Sequence, residues 1–239
     1  MKFNSMIVGM GEVGKGLYGV LNKSYNVVTR DIDDIDFEGE VSVLHICIRY
    51  SDNFVDIVKA YVDIYKPQLI DICTTCPPNT TEQIRSDACH STTRGIHPLL
   101  EEGIRKGVKH IGGINAMKLQ RYYEIAGVEC VAHFRAHTTE LAHILNNAAY
   151  GVNLMLADEM AKVCRKYGVD YYQAVMQYTA SHNQTFNRLG HTTKSRMILT
   201  PPNGEIGGHC VKQSVDMLPE ENRGFLFNKL AEYGKSGKS

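Results

Sequence analysis

The segment Gly9-Met10-Gly11-Glu12-Val13-Gly14 has the residue types and spacing that bind the phosphates of a dinucleotide. It follows an apolar run and opens an amphipathic stretch. Gly9 permits a tight turn, Gly11 lets a pyrophosphate approach the backbone, and Gly14 allows close helix–strand packing. The helix N-terminus adds unpaired N–H groups and the positive end of its dipole. We therefore predict that all six residues contact a dinucleotide.

Asp31 and its neighbour Arg30 bear on which dinucleotide would bind. Asp31 ends the next predicted strand, twenty residues after Gly11. A carboxylate there accepts hydrogen bonds from the adenosine ribose hydroxyls and repels a 2′-phosphate, which favours NAD over NADP. Arg30 weakens this preference for NAD slightly, because a guanidinium can bind the 2′-phosphate of NADP. We predict NAD as the cofactor.

The first half of the chain alternates short apolar runs with amphipathic stretches. Strands are predicted at residues 3–8, 26–30, 41–48, 68–73, 88–91 and 108–111, and helices at 13–21, 53–65, 80–85, 98–106 and 115–126. This alternation predicts an α/β fold in which helices cover both faces of a parallel sheet. Right-handed crossovers make a doubly wound Rossmann sheet the simplest topology. We assign residues 1–132 to this domain.

The pattern changes near residue 138. From residue 139 to residue 167, apolar residues recur mostly every three or four positions, which predicts one long helix containing Gly151 and ending at a left-handed Gly168. A second helix is predicted at 171–181. We assign residues 138–239 to a smaller all-helical domain. Because the long helix is apolar on more than one face, we predict a homodimer joined through residues 139–167.

Several further motifs carry a resemblance to a known family. They are the run Thr74-Thr75-Cys76-Pro77-Pro78-Asn79-Thr80-Thr81, the pair Glu140 and Asn147, and Gly207-Gly208-His209-Cys210 about 60 residues after Asn147. Together with the glycine loop, they resemble the UDP-glucose/GDP-mannose dehydrogenase family from Phe3 to about Leu218. That family oxidises a sugar-nucleotide alcohol to a carboxylate with two NAD molecules.

The resemblance implies a role for each matching residue. Cys210 would be a nucleophile that adds to an aldehyde, with Gly207 and Gly208 allowing substrate to approach closely. Asn147 would donate a hydrogen bond to the developing oxyanion and bind substrate. Thr75 would place water or the nicotinamide. Glu102 matches a glutamate that the family has near cofactor and substrate.

Four positions depart from the family pattern. His143 stands where the family has a catalytic lysine, and its imidazole can still act as acid and base near neutral pH. Ser214 replaces an aspartate, Asn79 replaces a glycine, and His97-Pro98-Leu99-Leu100 replaces a glutamate segment. The chain also ends about where the family's C-terminal sugar-nucleotide-binding domain begins, which predicts a short form.

Composition and the remaining cysteines and histidines exclude other classes. Lys+Arg equals Asp+Glu at 26 each, without the basic concentration that a nucleic-acid binder needs. With no apolar stretch long enough for a membrane span and no signal peptide, we predict a cytoplasmic protein with free thiols. The Cys73–Cys76 pair lacks a second pair, so no metal site is predicted. His133 and His137 could share a helix face, but packing is the simpler interpretation.

Three functions remain open. The first is an NAD-dependent dehydrogenase of a sugar nucleotide, polyol or related hydroxy substrate, which acts by a single two-electron step. The second is a non-catalytic NAD-binding protein that kept the fold. The third is a reductase of a small hydroxy acid, of the wider 6-phosphogluconate dehydrogenase-like group, in which His143 is the acid–base and Cys210 is dispensable.

Overall fold

The computed structural model describes residues 4–31, 40–95, 98–203, 206 and 209–233. The chain divides into two compact units, Met1–His143 and Ile144–Ser239. The predicted α/β fold followed by a long helix is confirmed. In the described residues, no helix combines the length and apolarity needed to cross a membrane.

The first unit is built on a sheet of seven described strands, ordered β2-β1-β3-β4-β5-β6-β7. The strands are β1 (Asn4–Val8), β2 (Asn26–Arg30), β3 (Val43–Ile46), β4 (Leu69–Ile72), β5 (Cys89–Ser91), β6 (Lys109–Gly112) and β7 (Cys130–His133). The helices between them are α1 (Glu12–Leu21), α2 (Phe54–Tyr65), α3 (Thr80–Ile84), α4 (Leu100–Lys106) and α5 (Ala116–Ile125). β2 and β3 flank β1 on opposite sides, so the strand order reverses at β1.

The sheet differs from the prediction at one edge. β6 pairs antiparallel with β5, and β7 then pairs parallel with β6, so the last two strands run against the other five. Alternation of strands and helices does not determine this direction, because a strand can satisfy its backbone groups against a neighbour of either sense. β7 is not among the predicted strands, since only Cys130 of its four residues is buried and its apolar run is three residues long.

Two apolar clusters cover the two faces of the sheet. One contains α1 and α5 residues such as Leu17 and Leu119. The other contains α2 residues such as Phe54 and Val58. The central strand β3 is fully buried, and its neighbour β4 is nearly so, as expected for parallel strands covered on both sides.

The second unit contains most of the long helix α6 (Ala136–Lys166), then a π-helical turn (Tyr172–Gln177), α7 (Tyr178–Arg188), α8 (His209–Asp216) and α9 (Phe225–Tyr233). α6 passes through Gly151 without a break. A Cβ on Gly151 would lie 2.4 Å from Val211 and 2.7 Å from Leu230, so the glycine lets α8 and α9 pack on α6. Gly168 has the predicted left-handed conformation (φ +65°), and the N–H of Val169 donates to the Cys164 carbonyl.

Candidate functional site

The glycine loop lies at the carboxyl end of β1, where the strand order reverses and open α/β sheets bind their ligands. Two of its glycines are required by the fold. Gly9 has φ +93°, and a Cβ there would lie 2.8 Å from the Cys47 carbonyl carbon. A Cβ on Gly14 would lie 1.9 Å from the Gly9 carbonyl oxygen. No side chain can be accommodated at either position without moving the backbone.

Gly11 is different, because nothing among the described residues requires a glycine there. Its φ is −66°, and a Cβ would meet no described atom within 4 Å. Gly11 is the N-cap of α1, and no side chain caps this helix end, although Met10 and Val13 pack on the core. The first-turn N–H groups, which have no partner within the helix, therefore border a space that a side chain at position 11 would fill. This is the geometry that a phosphate group needs.

Asp31 and Arg30 point to different neighbours. The Met10 backbone N–H donates to Asp31 Oδ2 at 3.3 Å, which ties the carboxylate to the glycine loop. The Arg30 guanidinium donates to Tyr65 Oη at 3.1 Å and lies 5.7 Å from the centre of the Tyr61 ring. The carboxylate is thus held beside the predicted dinucleotide site, whereas the guanidinium engages α2.

Thr75 lies partly exposed in the loop after β4, next to the buried Thr74. Glu140 of α6 is fully buried and accepts hydrogen bonds from the backbone N–H groups of Asn79, at 2.6 Å, and Thr81, at 2.8 Å. Its carboxylate therefore caps α3 and holds the Thr75 loop. Asn79 has φ +71°, a conformation that asparagine adopts more readily than most residues, which explains why it can replace glycine here.

His143 is half-buried on α6, in the first unit. Burial lowers its pKa, and the cations of Arg94 and Lys109 lower it further. Its imidazole is therefore stabilised in the neutral form, which can accept a proton. Sequence reasoning missed the neighbouring His90, whose ring hydrogen-bonds to Thr139 Oγ1 at 2.9 Å. The only sequence signal for His90 is its place inside a predicted buried strand.

Asn147 is brought to the helix that carries Cys210. Its side-chain amide donates to Ser214 Oγ at 3.0 Å, and Ser214 lies one turn after Cys210 on α8. Asn147 and Ser214 both belong to the second unit. The Cys210 backbone is helical, but its side chain is not among the described parts of the structure. Gly207, Gly208 and His97 also lie outside the described residues.

Glu102 and Glu12 are both exposed on helices. Glu12 is in the first turn of α1, next to the glycine loop. The Glu102 carboxylate pairs with Lys106 on the next turn of α4, and this pairing lowers the pKa of Glu102. In contrast to Asp31, Glu102 therefore has a described partner on its own helix and not on the loop.

The Cys73 and Cys76 side chains lie in the clusters on opposite faces of the sheet, so they do not form a chelating or redox pair. The possibility that His133 and His137 share a helix face is wrong, because His133 lies in β7 and His137 in α6. The His133 ring instead stacks on His110, with a 2.9 Å hydrogen bond between them.

Comparison with known proteins confirms the resemblance. Residues 137–229 match the model of the UDP-glucose/GDP-mannose dehydrogenase family, central domain. Over 193 residues the chain is 27% identical to a UDP-N-acetyl-D-mannosamine dehydrogenase of Methanococcus vannielii. The aligned region covers 77% of this chain and 42% of that protein. The chain spans between 36% and 54% of the length of the curated relatives it matches.

Solved structures share the fold. A UDP-D-ManNAc dehydrogenase from Pyrococcus horikoshii matches 98% of this chain and 68% of its own, with a TM-score of 0.79 at 18% identity. A Mycobacterium tuberculosis 3-hydroxyisobutyrate dehydrogenase matches 99% of this chain and 95% of its own, with a TM-score of 0.69 at 10% identity. The structural similarity establishes the fold, whereas sequence identities this low do not identify the substrate.

The buried His90 makes a testable contribution to stability. Burial lowers its pKa to about 3, whereas the unfolded value is near 6.5. Below pH 6.5 the unfolded chain binds a proton that the folded chain excludes, so the stabilisation present above pH 6.5 is lost as pH falls toward 3. We expect this residue to add to the free energy of unfolding a slope that approaches about 1.4 kcal/mol per pH unit below pH 6. Urea denaturation at pH 6, 5 and 4 measures it.

His90→Gln should remove that slope, and the exposed His191→Gln should keep it. The same pH dependence in His90→Gln and the parent protein would contradict the assignment.

Proposed function

We propose that this relative of the UDP-glucose/GDP-mannose dehydrogenases is an NAD-dependent oxidoreductase of a sugar nucleotide, a polyol or a related hydroxy substrate. The observation that carries the proposal is the open position at Gly11. The fold requires Gly9 and Gly14, but a Cβ at Gly11 meets nothing within 4 Å. A glycine there is therefore explained by a ligand that approaches the backbone, and not by packing within the protein.

The residues proposed to hold the cofactor are those of the loop and its surroundings: Gly9, Met10, Gly11, Glu12, Val13, Gly14, Asp31, Thr75 and Glu102. NAD, when bound, supplies a hydride acceptor. Asp31 supports NAD over NADP, because its carboxylate is tied to the Met10 N–H and would repel a 2′-phosphate. The engagement of Arg30 with Tyr65 supports the same choice.

His143 is proposed to take the proton of the substrate hydroxyl as the carbon-bound hydrogen leaves as hydride, giving an aldehyde. The neutral form that its surroundings favour suits this role. Asn147 would polarise the substrate oxygen by donating a hydrogen bond. Cys210 would add its sulfur to the aldehyde carbon, with Gly207 and Gly208 leaving room for the substrate.

We propose a single two-electron step for this chain. The family's aspartate four residues after the cysteine is replaced by Ser214, which cannot act as a carboxylate base. Ser214 Oγ instead accepts the hydrogen bond from Asn147. The second oxidation and the hydrolysis of a thioester would thus lack a residue that the family uses, whereas the first oxidation needs the acid–base, the oxyanion donor and a thiol that captures the aldehyde reversibly.

We also propose a homodimer formed through α6. Four of its exposed apolar side chains, and the tyrosine just after it, are Leu145 (38% exposed), Leu156 (54%), Val163 (55%), Tyr150 (43%) and Tyr167 (77%). At 100° per residue, all except Tyr150 fall within about 40° of one another, on one side of the helix. An apolar stripe of this length is typical of a surface that a second subunit covers.

A prediction on Gly11 separates NAD binding from folding. Gly11→Ala should leave the free energy of unfolding within about 0.5 kcal/mol of the parent value, because its Cβ meets no protein atom. It should weaken NAD binding at least tenfold, since the methyl group occupies the phosphate position. Gly14→Ala, the matched variant, should destabilise the protein by about 1–3 kcal/mol.

Isothermal titration with NAD and urea denaturation make these two measurements. If Gly11→Ala binds NAD as tightly as the parent protein, the proposed cradle is wrong.

The second prediction concerns the reaction. With NAD and a panel of UDP- and GDP-sugars, we expect one NADH per sugar nucleotide consumed. His143→Ala should lower the rate about 100-fold or more. Cys210→Ser should lower it also, because an aldehyde that is not captured can accept the hydride back. Cys164→Ala, which removes a buried thiol of α6, should retain activity.

Each other outcome identifies a different function. Two NADH per sugar would refute the single step. Activity that survives Cys210→Ser and is lost in His143→Ala indicates a hydroxy-acid reductase. NAD binding without NADH from any substrate indicates a non-catalytic protein.

The third prediction concerns assembly. Light scattering at micromolar concentration should give twice the mass of the chain. Leu156→Glu should give the monomer mass, because dimerisation would bury a carboxylate without an opposite charge or a hydrogen-bond donor. Tyr150→Glu is the matched control, since Tyr150 lies about 140° around the helix from Leu145. A monomeric parent protein would exclude this interface.

A further inference from the structure

Three side chains that commonly bind metals meet inside the sheet of the first unit. His45 of β3 is paired in register with Asp71 of β4, and Cys73 directly follows β4 on the same face. His45 and Asp71 are 0% exposed and Cys73 is 5% exposed. One donor atom from each lies within 4.8 Å of the others. Polar residues in central parallel strands are unusual, because such strands are buried on both faces.

The hydrogen bonds of Asp71 are unevenly distributed over its two oxygens. Oδ2 lies 2.8 Å from His45 Nδ1, accepts from Cys73 Sγ at 3.3 Å, and accepts a short hydrogen bond from Tyr123 Oη. Oδ1, equally buried, has no hydrogen-bond partner among the described residues. A buried carboxylate oxygen without a partner carries a desolvation penalty. Among the described residues, Oδ1 is thus an acceptor without a hydrogen bond of normal geometry, and the Ser91 hydroxyl also acts on this carboxylate.

Cys47 is a candidate for a fourth donor, although its sulfur is not among the three donor atoms that lie within 4.8 Å of one another. It lies two residues after His45 on the same face, and the register Ile46↔Ile72 places it opposite Cys73. Its thiol interacts with that of Cys73. Unlike the other three residues, Cys47 is only partly buried, and its backbone lies against Gly9.

We propose that His45, Asp71, Cys73 and Cys47 form a binding site for a divalent thiophilic cation, of which zinc is the common example. Two sulfurs, one imidazole nitrogen and one carboxylate oxygen are a donor set that zinc binds tetrahedrally. This site differs from the Cys73–Cys76 spacing considered in the sequence, and it departs from our prediction of no metal.

Charge and second-shell contacts are consistent with the site. The buried Lys109 lies 4.9 Å from the centre of the Tyr123 ring, and its cation acts on Asp71. Two thiolates, one carboxylate, one ammonium and a divalent ion sum to zero. His45 Nε2 lies 3.2 Å from Tyr122 Oη, and that hydroxyl lies 2.6 Å from Ser5 Oγ. Such an outer partner fixes the ring of a histidine that binds through its other nitrogen.

The test begins with the metal content of the full chain. Protein purified under reducing conditions, stripped with a chelator and given zinc, should retain about one zinc per chain after desalting. Cys73→Ala should abolish retention. Cys76→Ala, a buried cysteine three residues away on the other face of the sheet, should retain it. Equal retention by both variants would place the zinc elsewhere, for example at His110 and His133, and overturn the proposal.

A second measurement needs no variant and covers the case in which Cys73→Ala fails to fold. Titrating the stripped parent protein with Co²⁺ should produce sulfur-to-cobalt charge-transfer bands, and zinc should protect Cys47 from alkylation as measured by mass spectrometry. Absence of both effects refutes the site. A Cys47–Cys73 disulfide that persists under reducing conditions and excludes metal would refute it too.

Discussion

Gly14 lies so close to the carbonyl oxygen of Gly9 that no side chain fits between them, and much of the first unit depends on this contact. It holds the start of α1 against the end of β1, at the point where the sheet order reverses. The uncapped helix end and the open position at Gly11 follow from it. Asp31 reaches the same loop because β2 lies beside β1 in parallel register. The proposed cofactor site is thus formed by backbone packing before any side chain contributes.

Buried polar groups organise the rest of the first unit. Glu140 fixes the loop that contains Thr75 by capping α3, and His90 connects β5 to α6 through Thr139. Each of these groups is stable only because a partner satisfies it. The Asp71 carboxylate differs from both, since one of its oxygens has no partner in the described residues. The unit therefore contains buried polar groups that fix the Thr75 loop and the contact between β5 and α6, and a buried carboxylate oxygen without a hydrogen bond.

Most of the fold could be predicted from the sequence, because an element that is buried on one face has apolar residues at regular intervals along the chain. All eleven elements predicted for residues 1–132, including the strand that ends at Arg30 and the helix that ends at Leu21, lie within two residues of the observed bounds. β7 lacks this pattern, since it is an edge strand with one buried residue. The direction of β6 could not be predicted either, because pairing with a neighbour is a contact between distant segments. Gly151, which lies inside the predicted long helix, is the position where α8 and α9 pack on α6.

By itself, the sequence determined the glycine loop, the acidic residue that follows it, the long helix and the family resemblance, because each depends on residues that are near in the chain or on a recognisable motif. Only the tertiary structure decided that Asn147 contacts Ser214, that Cys73 and Cys76 face opposite sides of the sheet, and that His45 meets Asp71. These are relations between separate strands and helices. They depend on strand order, register and which face each side chain occupies, none of which is encoded by local spacing.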